Sequence, residues 1–514
     1  MNTHITRTMK NHTATLLLAL LTCTANAQDA IVSGYDWEAN PKLHPAAHTT
    51  TDPMVYVEYH TITDWENTET DITEFYLTHQ IRAINTEGAI EDNNKIYIPL
   101  GGVEKVYMRK ARVITPGGKV VELDEEAFKI AEDEEDHSRY LYFAFEGLEV
   151  GSEIEYIVTI QHSPSLRGDG ELMRMSAPIR QRVAEVINPG HLVVLSKSYN
   201  GAPDMVRDST REDVQHMTAT MLDVPGLPDE PSAATGAHTA RIIFKLDKNT
   251  ANGVRDISSY VTATKYYWAN LYASFEPKHI KELKKTIKDM DLSFARDEED
   301  RIRMIENYLK THFQVVESGA DELRDPAFIL KNNACSKLGM LMLFCNVFTD
   351  LGIDHQVAVT CDRQRLTFDR NFEAFNFLDE NFIYLPGLKK YLAPTEPQLR
   401  LGYIPAAYTD QDALFIRTVD VGGTKSGVGK VGHIDPLPWD ATRHDMFVNV
   451  DLAKESGKAV INFKNELTGF YADIVQCYYK HMDEEQQTET MDGMIGFLTQ
   501  DSESKTITVS NDDE

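Results

Sequence analysis

Between residues 53 and 231 the apolar positions alternate with polar ones in short runs. Residues 54–62, 71–84, 95–100, 105–114 and 154–162 are rich in Val, Ile, Tyr, Phe and Thr, the side chains that suit a pleated, half-buried surface. Glu87-Gly88, Gly101-Gly102 and Pro116-Gly117-Gly118 supply turn chemistry between them. Many short strands with period-two patterning predict an antiparallel β-sandwich. The acidic clusters at 124–126 and 132–136 read as solvated surface. Residues 228–236, with Pro, Ser, Ala and Gly, read as a linker, and 240–246 as one further strand.

The middle third changes period. Residues 280–290 and 298–313 are helical, with Ile302, Ile305, Leu309 and Phe313 on one face and Asp297 as N-cap. Residues 338–351 carry apolar side chains on every face, which predicts a helix buried all round, and Gly352 follows as its C′ residue. Strands are expected at 357–360, 372–378 and 382–395. Helix followed by sheet is an α+β signature. Beyond residue 417 come a Gly/Lys/Ser-rich loop at 422–432, a strand pair at 447–452 and 459–463 with Gly457 in its turn, amphipathic stretches at 471–482 and 489–498, and a last strand at 506–510. So few strands bury a core poorly, so this end reads as a small β-rich domain, either incomplete or leaning on its neighbours.

A chain of 514 residues predicts about three domains. The expected division is 28–235, 236–416 and 417–514, preceded by a signal peptide at 1–27. Arg7 and Lys10 form a basic n-region, residues 16–21 an apolar core, and Ala25-Asn26-Ala27 an A-x-A cleavage site, so Gln28 is the expected mature start. Cys23 offers a lipidation site, but Thr22 before it is unusual there and the A-x-A site is better. These features predict export, to the periplasm, the outer membrane's surface or the medium. No later run approaches the ~18 apolar residues of a transmembrane helix. Removing two basic and no acidic residues takes the net charge from −29 to −31, which argues against nucleic acid and anionic lipid as partners.

Cys335, Cys345, Cys361 and Cys477 are too few for a disulfide framework, and no spacing suggests zinc; neither a metal nor a cofactor is expected. Cys335 and Cys345 lie roughly 15 Å apart along one helix and cannot bridge. Cys335–Cys361 is the sterically plausible pair, with buried free thiols the simpler reading.

Residues 110–123, Lys-Ala-Arg-Val-Ile-Thr-Pro-Gly-Gly-Lys-Val-Val-Glu-Leu, with Asn85-Thr86-Glu87-Gly88 and Tyr97-Ile98-Pro99, resemble an exported bacterial β-sandwich domain of unknown function. Cys335, Leu351-Gly352-Ile353, Phe375-Asn376, Pro394-Thr395 and Gly402-Tyr403-Ile404-Pro405 resemble the transglutaminase-like (papain-like) domain that follows it in such proteins. The resemblance covers most of residues 50–420 and implies an α+β nucleophile domain. There a Cys at a helix start is activated by a His on one strand, which is oriented by an Asp on the next.

Two of these positions are substituted. The family's F-N-H becomes Phe375-Asn376-Phe377, and its L-D-P-T becomes Leu392-Ala393-Pro394-Thr395. Cys335 occupies the nucleophile position, Phe377 the former His position and Ala393 the former Asp position. Asn376 cannot take a proton at neutral pH. His355 lies beyond a helix of about 24 Å, and His312 and His433 stand in the wrong order. The expectation is a catalytically degenerate envelope or secreted protein that binds a peptide, glycan or protein partner. The rivals are an active cysteine protease or acyl transferase using Cys335, and a structural module of an envelope assembly.

Overall fold

The computed structural model describes residues 31–68, 71–133, 138–211, 213–228, 230–273, 275–452, 459–479, 482–495 and 508–510. The expected signal peptide, Cys23 and Gln28 lie outside the described residues. So does the start of the strand expected at 506–510, whose described residues 508–510 form no strand. Among the described residues no helix is long and apolar enough to cross a membrane. The protein is multidomain and strand-rich, with mostly antiparallel sheets, and divides into two units. The first is Met1–Thr262 with Gln364–Leu366 and Asn371–Phe377; the second is Ala263–Arg363 with Thr367–Arg370 and Leu378–Glu514.

The alternating runs of the first unit assemble into an eight-stranded sheet. Its spatial order is Val206–Asp208, Val214–Val224, Ile179–Pro189, Met54–Asn67, Ile72–Ile84, Glu153–His162, Val103–Ile114, Val120–Glu122. One pair departs from the antiparallel expectation: Met54–Asn67 runs parallel to Ile179–Pro189, joined by the long excursion through the intervening strands. Strand registry puts alternate residues on opposite faces. One face carries two apolar cores. Ala111, Val113, Ile154, Tyr156 and Val158 pack with Ile96, Leu141 and Phe143 of a three-stranded sheet formed by Lys95–Pro99, Arg139–Ala144 and Lys129–Glu132. Trp65, Ile72, Val186 and Met217 pack with Leu192, Val194, Phe244 and Leu246 of a second three-stranded sheet. That sheet includes Arg241–Asn249, paired with Leu192–Tyr199, so the strand expected after the linker at 228–236 belongs to the first unit.

In the second unit the helices fall close to expectation. Glu298–His312 starts at Asp297, whose side chain accepts from the Asp300 N–H, and it buries Ile302, Ile305 and Leu309 completely. Lys337–Leu351 is buried from Gly339 to Phe348 and stops at Gly352, whose φ of 69° favours glycine. The following sheet has five antiparallel strands in the order Lys390–Leu392, Glu380–Leu385, Gln356–Thr360, Gln411–Val421, Thr424–Ile434.

Three expectations are corrected here. The run 382–395 is not one strand but a hairpin turning at residues 386–389. The segment 372–378 is not a strand; it is loop with a short 3-10 turn, Phe375–Phe377. The Gly-rich stretch 422–432 is not a loop: Thr424–Ile434 is a strand continuous with the sheet, so a boundary at 416/417 would cut through Gln411–Val421. Its glycines are steric. A Cβ at Gly429 would come within 2.0 Å of Thr264 Oγ1, and one at Gly427 within 2.7 Å of Trp268 Cβ. After it come the exposed hairpin Arg443–Leu452/Ala459–Thr468 and the helices Phe470–Tyr479 and Glu484–Ile495.

Candidate functional site

Cys335 stands just before the helix it was expected to open. Ser336 is the N-cap, its hydroxyl accepting from the Gly339 N–H, and Lys337 is the first helical residue. The short strand Ala334–Cys335 pairs in parallel with Gln314–Val315. The first helical turn presses on the cysteine, since a Cβ at Gly339 would lie 2.9 Å from Cys335 Cβ and 2.5 Å from the Leu323 carbonyl oxygen. The side chain is fully buried, and Sγ donates to the Gln314 carbonyl at 3.7 Å. Among the described residues no histidine or carboxylate hydrogen-bonds this thiol. Burial pushes it up to about 12, against the lowering that a helix N-terminus or a cation would give. Lys337 is directed instead to Glu317, at 3.5 Å.

Phe377 is fully buried and ends the 3-10 turn. Its ring meets Tyr199 edge-on with centroids 6.4 Å apart. The segment holding it is anchored on the first unit: Phe375 N–H donates to the Arg167 carbonyl at 3.0 Å, and Lys245 Nζ to the Glu373 carbonyl at 2.6 Å. Ala393 follows Lys390–Leu392 in the second unit and is buried with Ala358, Phe382, Leu399, Ile404, Ala413 and Ile434. Neither position carries a group able to take or orient a proton. The other histidines are engaged elsewhere. His355 is bonded to the Tyr272 hydroxyl at 2.9 Å and packs on Phe348, and burial lowers its pKa. His312 stacks on Tyr308, and His433 faces Asp412. Cys335, Cys345 and Cys361 are buried free thiols.

One constellation escaped the sequence reading. On the face of the eight-stranded sheet opposite these two cores, beside the smaller apolar cluster of Ile62, Leu77, Ile157 and Ile187, six neighbouring strands each contribute one polar side chain to a continuous hydrogen-bonded ladder. His216 Nε2 meets Glu185 Oε2, whose other oxygen bonds His60 Nε2 at 2.6 Å. His60 and His79 are linked through the Tyr35 hydroxyl; His79 Nε2 bonds Glu155 at 3.0 Å, and Glu155 accepts from Arg112 Nε at 2.6 Å. The segment from Val32 to Glu38 lies across this face. Val32 N–H donates to Asp64, Trp37 covers the Arg112 guanidinium at 4.1 Å, and the Glu38 carbonyl accepts from it. Burial disfavours charge on Glu185, but its bonds from His216 and His60 outweigh that and hold it at about 2. The bond from Glu185 raises His216; burial opposes charge on His60, yet Glu185 and Glu58 raise it overall. The available signal was ionisable residues two apart on one strand, Glu58 with His60 and Glu153 with Glu155, with His79 and Glu185 inside two further strands.

Comparison with known proteins gives a domain and a fold. A domain of unknown function, DUF3857, matches residues 73–227. No curated protein matches the chain in sequence. A solved structure described as a "putative protease" from Parabacteroides distasonis is similar at a TM-score of 0.52 and 12% identity, over 79% of this chain and 78% of that one. Much weaker are an M1 zinc metallopeptidase of Deinococcus radiodurans (TM-score 0.22, 9% identity, 37% of this chain and 42% of that chain) and native yeast LTA4 hydrolase (TM-score 0.22, 8% identity, 38% and 29%).

Proposed function

We propose that this protein is an exported binding protein of the cell envelope, built on a transglutaminase-like fold whose chemistry it has lost. The observation that carries the reading is the state of Cys335: fully buried, its thiol bonded to a backbone carbonyl and pushed up to about 12. A cysteine nucleophile needs its thiolate and a base within hydrogen-bond reach. Phe377 and Ala393 stand at the positions where the family resemblance places base and orienter, and neither can act as one. Loss of base and orienter costs a triad enzyme ~10³ or more in rate. The export signal read at 1–27 and the β-sandwich reading of residues 28–235 complete the proposal, with a peptide, glycan or protein as ligand.

The test compares full-length wild-type protein with Cys335→Ala in fluorogenic peptidase and amine-incorporation assays. Equal, background-level rates are expected. Turnover that disappears in Cys335→Ala would establish an active cysteine enzyme instead, the reading to which the fold shared with the Parabacteroides distasonis protein would then point.

A further inference from the structure

The five-stranded sheet of the second unit is unevenly covered on one face. Near Ala358, Phe382, Ala393 and Ala413 that face is filled by Leu399, Ile404 and Tyr408. Beyond this core the same face opens into a cavity of about 810 Å³, within the roughly 300–1,000 Å³ of small-ligand sites. Registry sets one side chain from each strand along it. Tyr391 opposes Tyr384, Tyr384 opposes Gln356, and Phe415, paired with Ala358, opposes Lys430. The Tyr384 ring centroid lies 4.8 Å from that of Tyr391, tilted by 37°, and 5.6 Å from that of Phe415, which stands nearly perpendicular to it at 79°. The Phe415 ring lies close against Gly432, where a Cβ would come within 2.9 Å of Cδ2 and Cε2. Four inter-strand steps of about 4.8 Å extend the row to roughly 19 Å.

The charge of this cavity runs against that of the chain. Arg303, Lys389, Lys390 and Lys430 line it, with Asp435 the one carboxylate among the lining residues, in a protein of net charge −29. Glu299 neutralises part of this, bonding Lys390 at 2.7 Å and Arg303 at 2.9 Å, which leaves Lys389 and Lys430 facing solvent. The wall at 401–403 is held in place by a buried pair. Lys310 bonds Glu306 at 2.9 Å and the carbonyls of Glu396 and Leu399, while Glu306 accepts from the Leu401 N–H at 2.9 Å.

We infer that this aromatic, cation-rimmed groove binds an acidic carbohydrate chain, its pyranose rings lying against Tyr391 and Tyr384, with Phe415 standing as an upright wall beside them, and its carboxylates meeting Lys389 and Lys430. The tilted Tyr384 and Tyr391 rings suit the C–H faces of sugars, hydroxyl and amide groups of Tyr384, Tyr391 and Gln356 suit their hydroxyls, and ammonium groups select the carboxylated members of that class. The inference deepens the binding reading proposed above and rests on it.

Isothermal titration calorimetry on the full-length protein tests it, with hexagalacturonate as probe, cellohexaose as its neutral counterpart and hexaglutamate as an anion without rings. Hexagalacturonate should bind at least tenfold more tightly than either control. Lys430→Glu, an exposed substitution that leaves the fold intact, should weaken it at least tenfold, and Tyr384→Leu should weaken hexagalacturonate and any cellohexaose binding alike. Hexaglutamate binding as tight as hexagalacturonate would make the groove a general anion or acidic-peptide surface and overturn the assignment. No heat at millimolar hexagalacturonate, or an unchanged Lys430→Glu, would also overturn it. In either case an unchanged turnover assay on Cys335→Ala would leave the binding reading standing; turnover lost in that variant would remove the reading beneath.

Discussion

His60 and His79 face each other as a registered pair on adjacent strands and share the hydroxyl of Tyr35, which lies 3.0 Å from Nδ1 of the first and 2.8 Å from Nδ1 of the second. This contact joins the two halves of the ladder and fastens the segment Val32–Glu38 to the sheet.

The ladder gives the first prediction, a stability optimum on the acidic side of neutrality. His60 and His216 have folded pKa values above 6.5, so their contribution is complete below that pH and lost as pH rises through the raised values. Glu185, held at about 2 against 4.5, contributes fully above about 4.5 and loses its contribution as pH falls toward 2. His60, Glu185 and His216 therefore contribute most together between about pH 4.5 and 6.5. Buried Glu74, pushed up to about 8, favours its neutral form and adds to the loss on the alkaline side. Urea midpoints of the full chain should be higher at pH 5.5 than at pH 8.5. His60→Gln with His216→Gln should flatten the difference; a midpoint independent of pH in the wild type would refute the coupling.

Tyr35→Phe should destabilise by about 1–2 kcal/mol, because it removes one hydroxyl from two buried imidazole nitrogens at once. Urea melts measure the cost. Faster proteolysis near residues 32–38 in the variant would locate the damage, and an unchanged melt would mean that the contacts of Val32, Asp36, Trp37 and Glu38 hold the segment without Tyr35.

The thiol of Cys335 should be slow to alkylate. At a pKa of about 12 the thiolate fraction at pH 8 is about one in ten thousand, and the sulfur is fully buried besides. Iodoacetamide labelling of Cys335, followed by peptide mass mapping, should be at least a hundredfold slower in native protein than in 6 M guanidinium. Native labelling at the rate of a free cysteine would contradict the closed geometry.

Glu306→Gln should cost about 3–5 kcal/mol, the penalty for leaving a buried cation without its counter-charge. Lys310 is almost fully buried, and burial lowers its pKa while Glu306 and the carbonyls of Glu396 and Leu399 hold its charge. Urea melts with limited proteolysis at 396–403 should show both the lost stability and a loosened loop. A variant as stable as wild type would show that Lys310 had shed its proton.

Helices such as Glu298–His312 and Lys337–Leu351 were legible in the sequence because their determinants are local: a one-sided apolar period and Asp297 at the cap of the first, apolar residues on every face and Gly352 at the end of the second. The alternating strands of the first unit were legible for the same reason. Cys335, Phe377 and Ala393 could be picked out by chain order, but not their surroundings. The apolar run 372–378 has the composition of a strand, and only tertiary contacts with Tyr199 and Arg167 fold it as a turn. Thr424–Ile434 has the composition of a loop, and only the close approach of Thr264 and Trp268 explains glycines in a strand. The ladder is the clearest case. Its six sheet residues span His60 to His216, and no local pattern says which histidine will meet which carboxylate. Composition supplied the charges, whereas registry across six strands decided which of them are paired, buried and able to move the protein's stability with pH.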